Sequence, residues 1–324
     1  MSRNTWLILS LSILLPALLA ADVCLGSVFI PLRSIMDGDS MQAQILLNLR
    51  LPKAITAILA GAALSVSGLM MQTLFRNPLA GPYILGVSSG ASLGVALATM
   101  CASLLTFSTG IGSMTIIPAA ILGSTLVLLL VMAVSRRVTN NVSLLITGMM
   151  FGSIAGAIVN LIQNFSNPDA LKLFIVWTLG SLSAVGWSEL MVLGPIVIVT
   201  IVVVVFVLMK PLNGLMLGEN YAEGLGIHVR RTRLMIVVCT GLLAGAVTAY
   251  CGPIAFIGVA VPHIARGLFA TSNHHITLPM SALIGADLLL VCDLLASLST
   301  YPLPISTVSA LFGAPIIIWI ILKK

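Results

Sequence analysis

The sequence predicts an all-α, polytopic membrane protein with about ten transmembrane helices. Three observations carry that prediction. Hydrophobic residues make up 59% of the 324 positions and charged residues only 7%, with a mean hydropathy of +1.16. A water-facing globule needs roughly a quarter of its residues charged, so most of this surface faces lipid or another apolar partner. The apolar residues also fall in runs of about 20, the length at which a helix rising about 1.5 Å per residue crosses ~30 Å of hydrocarbon. Finally, the charges cluster at the ends of those runs.

The first run needs a separate test. Arg3, an apolar stretch and Ala20-Ala21 have the outline of a signal peptide, but the run from Trp6 to Leu25 exceeds a signal core and suits a retained helix. The spans expected are 6–25, 53–72, 86–107, 114–135, 142–164, 191–209, 233–250, 253–270, 276–298 and 304–322, and residues 1–324 are read as one transmembrane domain. Cytoplasmic loops collect Lys and Arg, which sets direction. An inside N-terminus places Arg3, Arg76, Arg136, Arg137, Lys210, Arg230, Arg231, Arg233, Arg266, Lys323 and Lys324 inside, and Arg33, Arg50, Lys53 and Lys172 outside. The split is eleven to four, and ten crossings return the C-terminus to the inside. The net charge of +6 is therefore a topology signal, and no nucleic-acid partner is expected.

Two stretches between spans stand out. Residues 210–232 form the longest inside segment, with Leu217-Gly218-Glu219 at its centre; residues 165–187 form an outside segment expected to hold a short interfacial helix carrying Trp177. Gly81-Pro82-Tyr83-Ile84-Leu85-Gly86-Val87 is echoed by Gly252-Pro253-Ile254-Ala255-Phe256-Ile257-Gly258-Val259. Pro and Gly interrupt the helix at both places, and repeated interrupted segments are a transporter trait. The five cysteines are dispersed with no CxxC pair, so they read as small buried residues, not as a metal or disulfide framework. Asp287 and Asp293 fall inside one span, six residues apart and on different faces. They read as packing groups or protonated acids, or as pathway groups. His263 and Arg266 share a face and read as structural anchors. Gly148, Gly152, Ser153 and Gly156 make a small-residue stripe that suits either close packing or a pathway wall.

Several motifs in order resemble one family. They are Leu49-Arg50-Leu51-Pro52-Lys53, Gly61-Ala62-Ala63-Leu64, Arg76-Asn77-Pro78-Leu79-Ala80, and Leu85-Gly86-Val87-Ser88-Ser89-Gly90-Ala91. Further on come Trp177 with Gly180-Ser181-Leu182, Leu217-Gly218-Glu219 with Ala222 and Leu225-Gly226, Val261-Pro262-His263-Ile264-Ala265-Arg266, Ala286 through Asp293, and Gly313-Ala314-Pro315. The pattern covers roughly residues 45–322 and resembles the FecCD/BtuC-type permeases, the type II ABC importer permeases for iron–siderophores, haem and cobalamin. The resemblance implies a ten-helix subunit that pairs with a second copy of itself, in the cytoplasmic (inner) membrane of a bacterium. It further implies two cytoplasmic ATPase subunits and an extracytoplasmic substrate-binding protein that delivers a large metal-chelate cargo. A basic family position just after Asp293 is Ser297 here, and the usual Glu-Leu-Pro nearby is Pro302-Leu303-Pro304, which separates the outer docking surface from that of the cobalamin importer.

The residues fit that picture on their own terms. No Gly-Lys pair occurs, so no P-loop is present to cradle ATP. ATP and Mg are expected on the partner ATPase, with no cofactor or metal on this chain, which is expected not to be an enzyme. The segment 210–232 is the expected ATPase-coupling site, with Glu219 facing unpaired N–H groups at a helix start and Ala222, Leu225 and Gly226 forming the contact face. The resemblance implies that Arg50 and Lys53, outside against the positive-inside trend, meet acidic residues of the binding protein; the other reading is anchoring in lipid head groups, and on either they need no buried partner. The rival reading is a proton-coupled secondary carrier with Asp287 and Asp293 as relays, which leaves the 210–232 segment without a purpose. No catalytic arrangement supports a membrane-embedded enzyme.

Overall fold

The computed structural model describes residues 3–26, 28–37, 40–101, 113–135, 137, 141–299 and 303–322. Arg136, Lys323, Lys324, Pro302 and the end of the third expected span, 102–107, lie outside the described residues. The helices are α1 (Arg3–Cys24), α2 (Met41–Phe75), α3 (Val87–Met100), α4 (Ser113–Ser135), α5 (Asn141–Asn164), α6 (Pro168–Thr178), α7 (Trp187–Leu217), α8 (Glu219–Gly224), α9 (Val229–Cys251), α10 (Ile257–Phe269), α11 (His274–Leu298) and α12 (Ile305–Leu322). Seven are long and apolar enough to cross a membrane; α3, α10 and α12 are the shorter apolar helices at the remaining expected spans. The short helix expected around Trp177 is α6.

Two boundaries differ from expectation. The sequence places the start of a connection at Lys210, but α7 runs on to Leu217. A π turn at Val204–Leu208 precedes Pro211, so the ladder is already rearranged where proline removes its N–H. The eighth expected span starts at 253, yet α10 begins only at Ile257, because Gly252 and Phe256 both take positive φ, 74° and 67°. The stretch Pro82–Leu85 is likewise a single 3-10 turn ahead of α3. These two breaks meet: the Ile254 N–H donates to Tyr83 Oη at 3.2 Å, and Gly258 lies against the Pro82 ring. The first break thus supplies a partner for backbone freed at the second, as apolar surroundings demand.

α2 is the central post, packed on α9, α10 and α11, with most of its side chains buried. The contact is close enough to need bare backbone. A Cβ on Gly61 would lie 2.1 Å from the Gly285 carbonyl oxygen, and one on Gly68 would lie 1.7 Å from that of Gly258. Small residues are the usual means by which membrane helices approach, since lipid gives no hydrophobic drive for association.

Candidate functional site

The expected coupling residues lie where α2, α5, α7, α8 and α9 converge. α2 ends at Arg76, whose left-handed backbone (φ 47°) turns the chain, and its guanidinium donates to the Leu215 carbonyl at 3.2 Å. Gly218 separates α7 from α8 with φ 128°, a conformation that excludes side chains, and Arg76 Nη2 lies 3.0 Å from where its Cβ would sit. Glu219 opens α8, but its carboxylate does not turn back on that helix. Oε1 accepts from Asn141 Nδ2 at 2.7 Å and from Arg233 Nη2 at 2.9 Å. Asn141 also donates to the Leu74 carbonyl at 2.9 Å. One carboxylate oxygen therefore fastens α8 to α5 and α9, and through Asn141 to α2.

The contact face also differs from expectation. Ala222 is fully buried against Gly214 and Ile227, so it sets the packing of α8 and offers nothing to a partner. The residues that point outward are Leu217, Tyr221 and Leu225, all more than half exposed. Gly226 takes φ 80° and closes the helix, with Ile227 N–H returning to the Ala222 carbonyl at 3.0 Å. A cleft of about 750 Å³ opens beside them, lined in part by Arg76, Asn141, Leu217, Glu219 and Tyr221. A second tie escaped the sequence. Asn213 Oδ1 on α7 accepts from the His274 backbone N–H at 2.8 Å and lies 2.8 Å from its ring Nδ1, while His274 Nε2 lies 2.9 Å from Thr73 Oγ1.

In the N-terminal half of α2, Arg50 and Lys53 are both engaged within the chain. Arg50 donates to the carbonyls of Val23 (3.0 Å), Cys24 (2.9 Å) and Val28 (2.6 Å), so it shapes the turn after α1. Lys53 Nζ pairs with Asp293 Oδ1 at 2.9 Å and donates to Ser297 Oγ at 2.6 Å. Asp293 is 2% exposed, so the expectation that neither cation needs a buried partner is overturned for Lys53. A charge taken this far from water must be paired. Asp22 of α1, also buried, joins Arg50 and Lys53 around a cavity of about 390 Å³. Its only mark in the sequence is an acid at the end of the first apolar run.

The remaining candidates separate. Asp287 is buried and neither carboxylate oxygen has a hydrogen-bond partner among the described residues. On α5, Gly148 and Gly152 pack against the backbone of Ile84–Gly86, whereas Ser153 is exposed and Gly156 faces open space. Half of the stripe is packing within the chain. His263 Nε2 lies 2.8 Å from the Pro78 carbonyl, and the Arg266 guanidinium donates to Gln72 Oε1, whose amide donates to the Val259 carbonyl at 3.0 Å. Arg266 thus anchors α10 to α2, and His263 anchors α10 to the turn that follows α2.

Comparison with known proteins agrees with this arrangement. The FecCD transport family matches residues 13–323. The uncharacterized ABC transporter permease protein YvrB of Bacillus subtilis is 36% identical over 296 residues, covering 90% of this chain and 82% of that one. The vitamin B12 import system permease protein BtuC of Salmonella paratyphi A is 34% identical over 327 residues, covering 99% and 96%. A solved structure described as an inward-facing conformation of a metal-chelate type ABC transporter superposes with a TM-score of 0.88 at 30% identity, covering 99% of this chain and all of that one. The interrupted helices, the helical segment at Glu219 and these full-length similarities lead to one assignment: the chain belongs to the FecCD transport family of ABC importer permeases.

Proposed function

We propose that two copies of the chain line the pathway of an ATP-driven importer for a large metal-chelate cargo, an iron–siderophore, haem or cobalamin. Two separate ATPase subunits bind ATP and Mg and dock on α8, and a substrate-binding protein delivers cargo at the Lys53 end. Both termini face the cytoplasm of a bacterial cell, in its inner membrane. The observation that carries this reading is α8 itself: a short helix showing Leu217, Tyr221 and Leu225 outward while Glu219 ties it to three neighbouring helices. Such a helix suits the transfer of an outside push into the bundle. The printed functions of the relatives, vitamin B12 import and metal-chelate transport, support the cargo class. The Lys53 pair argues against Asp293 as a proton relay.

The test is co-purification and ATPase-driven uptake in proteoliposomes with a candidate ATPase subunit carrying a Walker motif, offering each cargo class on its binding protein. Uptake of one class that stops without ATP supports the proposal. Uptake that follows a proton gradient and ignores ATP would overturn it.

A further inference from the structure

The first turn of α9 divides its three arginines. Arg233 turns inward to Glu219, while Arg230 and Arg231 remain exposed. Residue spacings of three and four place Leu234 beneath both exposed arginines. With Ser135, the last residue of α4, they line a cavity of about 320 Å³ between the ends of the two helices. Among the described residues, no acidic side chain lines it. Exposed Arg137 follows in the turn that closes α4, its N–H bonded to the Val134 carbonyl at 2.8 Å. The N-cap of α9, His228, makes no side-chain capping bond, and the positive end of the helix dipole adds to the field there.

We propose that this cavity is a binding site for the phosphate head group of an anionic phospholipid. Position favours lipid over other anions. Ser135 ends one membrane-length helix and Arg230 lies in the first turn of another, so the cavity sits at the boundary where phospholipid phosphates lie. The floor is apolar Leu234, and α4 carries exposed Leu122, Leu126, Leu129 and Leu130 along the span, a surface suited to acyl chains. Two guanidinium forks match phosphate oxygens, and basic pockets between helices at the cytoplasmic side are a recurring form of anionic-lipid site. The inference rests on the orientation proposed above but not on the importer reading.

Native mass spectrometry of the purified protein tests it, with dioleoylphosphatidylglycerol and dioleoylphosphatidylcholine titrated separately. Wild type should retain the glycerol lipid in preference. Arg230→Gln with Arg231→Gln should weaken that binding about thirtyfold, equivalent to about 2 kcal/mol. Lys210→Gln removes another exposed charge of this end and should leave it unchanged. Both arginines are exposed, and an unchanged elution volume and thermal midpoint would show that the double variant is folded. Equal retention of the two lipids, or displacement of the glycerol lipid by millimolar inorganic phosphate, would overturn the proposal. So would a double variant that keeps its lipid but loses a co-purifying ATPase, because the arginines would then belong to a protein interface.

Discussion

Replacing Lys53 with Met removes the cation that Asp293 faces at 2.9 Å. The Asp293 side chain is 3% exposed and that of Lys53 20%, so the carboxylate, not the lysine, is the stranded partner. Breaking one side of a buried pair costs about 3–5 kcal/mol, and the partial access of water at Lys53 puts this case near about 3 kcal/mol. The reverse change, Asp293→Leu, leaves a lysine that keeps Ser297 Oγ and can extend its stem toward the cavity, so about 1–2 kcal/mol is expected. Replacing both leaves no charge stranded from this pair, and the double variant should recover to within about 1 kcal/mol of wild type. Reversible unfolding in mixed micelles, titrated with SDS and followed by circular dichroism, measures all three. A Lys53→Met cost below about 1 kcal/mol, or a double variant no more stable than that single one, would refute the pairing argument.

Arg50→Ala should loosen the turn after α1, because the Val23 and Val28 carbonyls lose the Arg50 donor and that of Cys24 keeps only the Ile30 N–H among the described bonds, and hydrogen exchange should rise at residues 23–28 while the bundle stays protected. Glu219→Gln keeps the acceptor oxygen but not the charge facing Arg233, so the ATPase of the assembled transporter should continue while transport per ATP falls; unchanged coupling would remove Glu219 from the force path. Gly218→Leu forces a side chain into φ 128° and against Arg76, at a cost of about 1–3 kcal/mol, and should abolish ATPase co-purification. A cysteine placed at Asn220 in a cysteine-free background should react with impermeant reagent only from the cytoplasmic side.

Hydropathy located the seven helices long enough to cross and the three shorter apolar ones, because a run of apolar residues needs no knowledge of its neighbours. It misplaced the ends of α7 and α10, where the outcome depends on a π turn near Pro211 and on the left-handed Phe256, features set by packing. Glu219 was legible as important, but its true partners were not. Asn141 lies 78 residues away, and nothing local distinguishes a carboxylate that caps its own helix from one that reaches across. Likewise Lys53 and Asp293 were singled out separately, and only tertiary structure shows that they hold each other, with Asp22 beside them. Ala222 was assigned to the contact face by position within a motif, whereas burial assigns it to the packing beneath.

The bare-backbone contacts of α2 have a consequence for genetics. At Gly61 and Gly68 even a methyl group has nowhere to go, and most of the helix offers no exposed position at which a change would touch function alone. A screen that scores growth on the transported nutrient will therefore recover α2 alleles mainly as missing protein, indistinguishable from nonsense mutations until the membrane is blotted. Alleles that keep the protein and lose the phenotype should instead concentrate around Lys53 and around Arg76. Second-site revertants within the contact are not expected, because a new side chain at Gly61 or Gly68 would strike the backbone of Gly285 or Gly258, which are already the smallest residues.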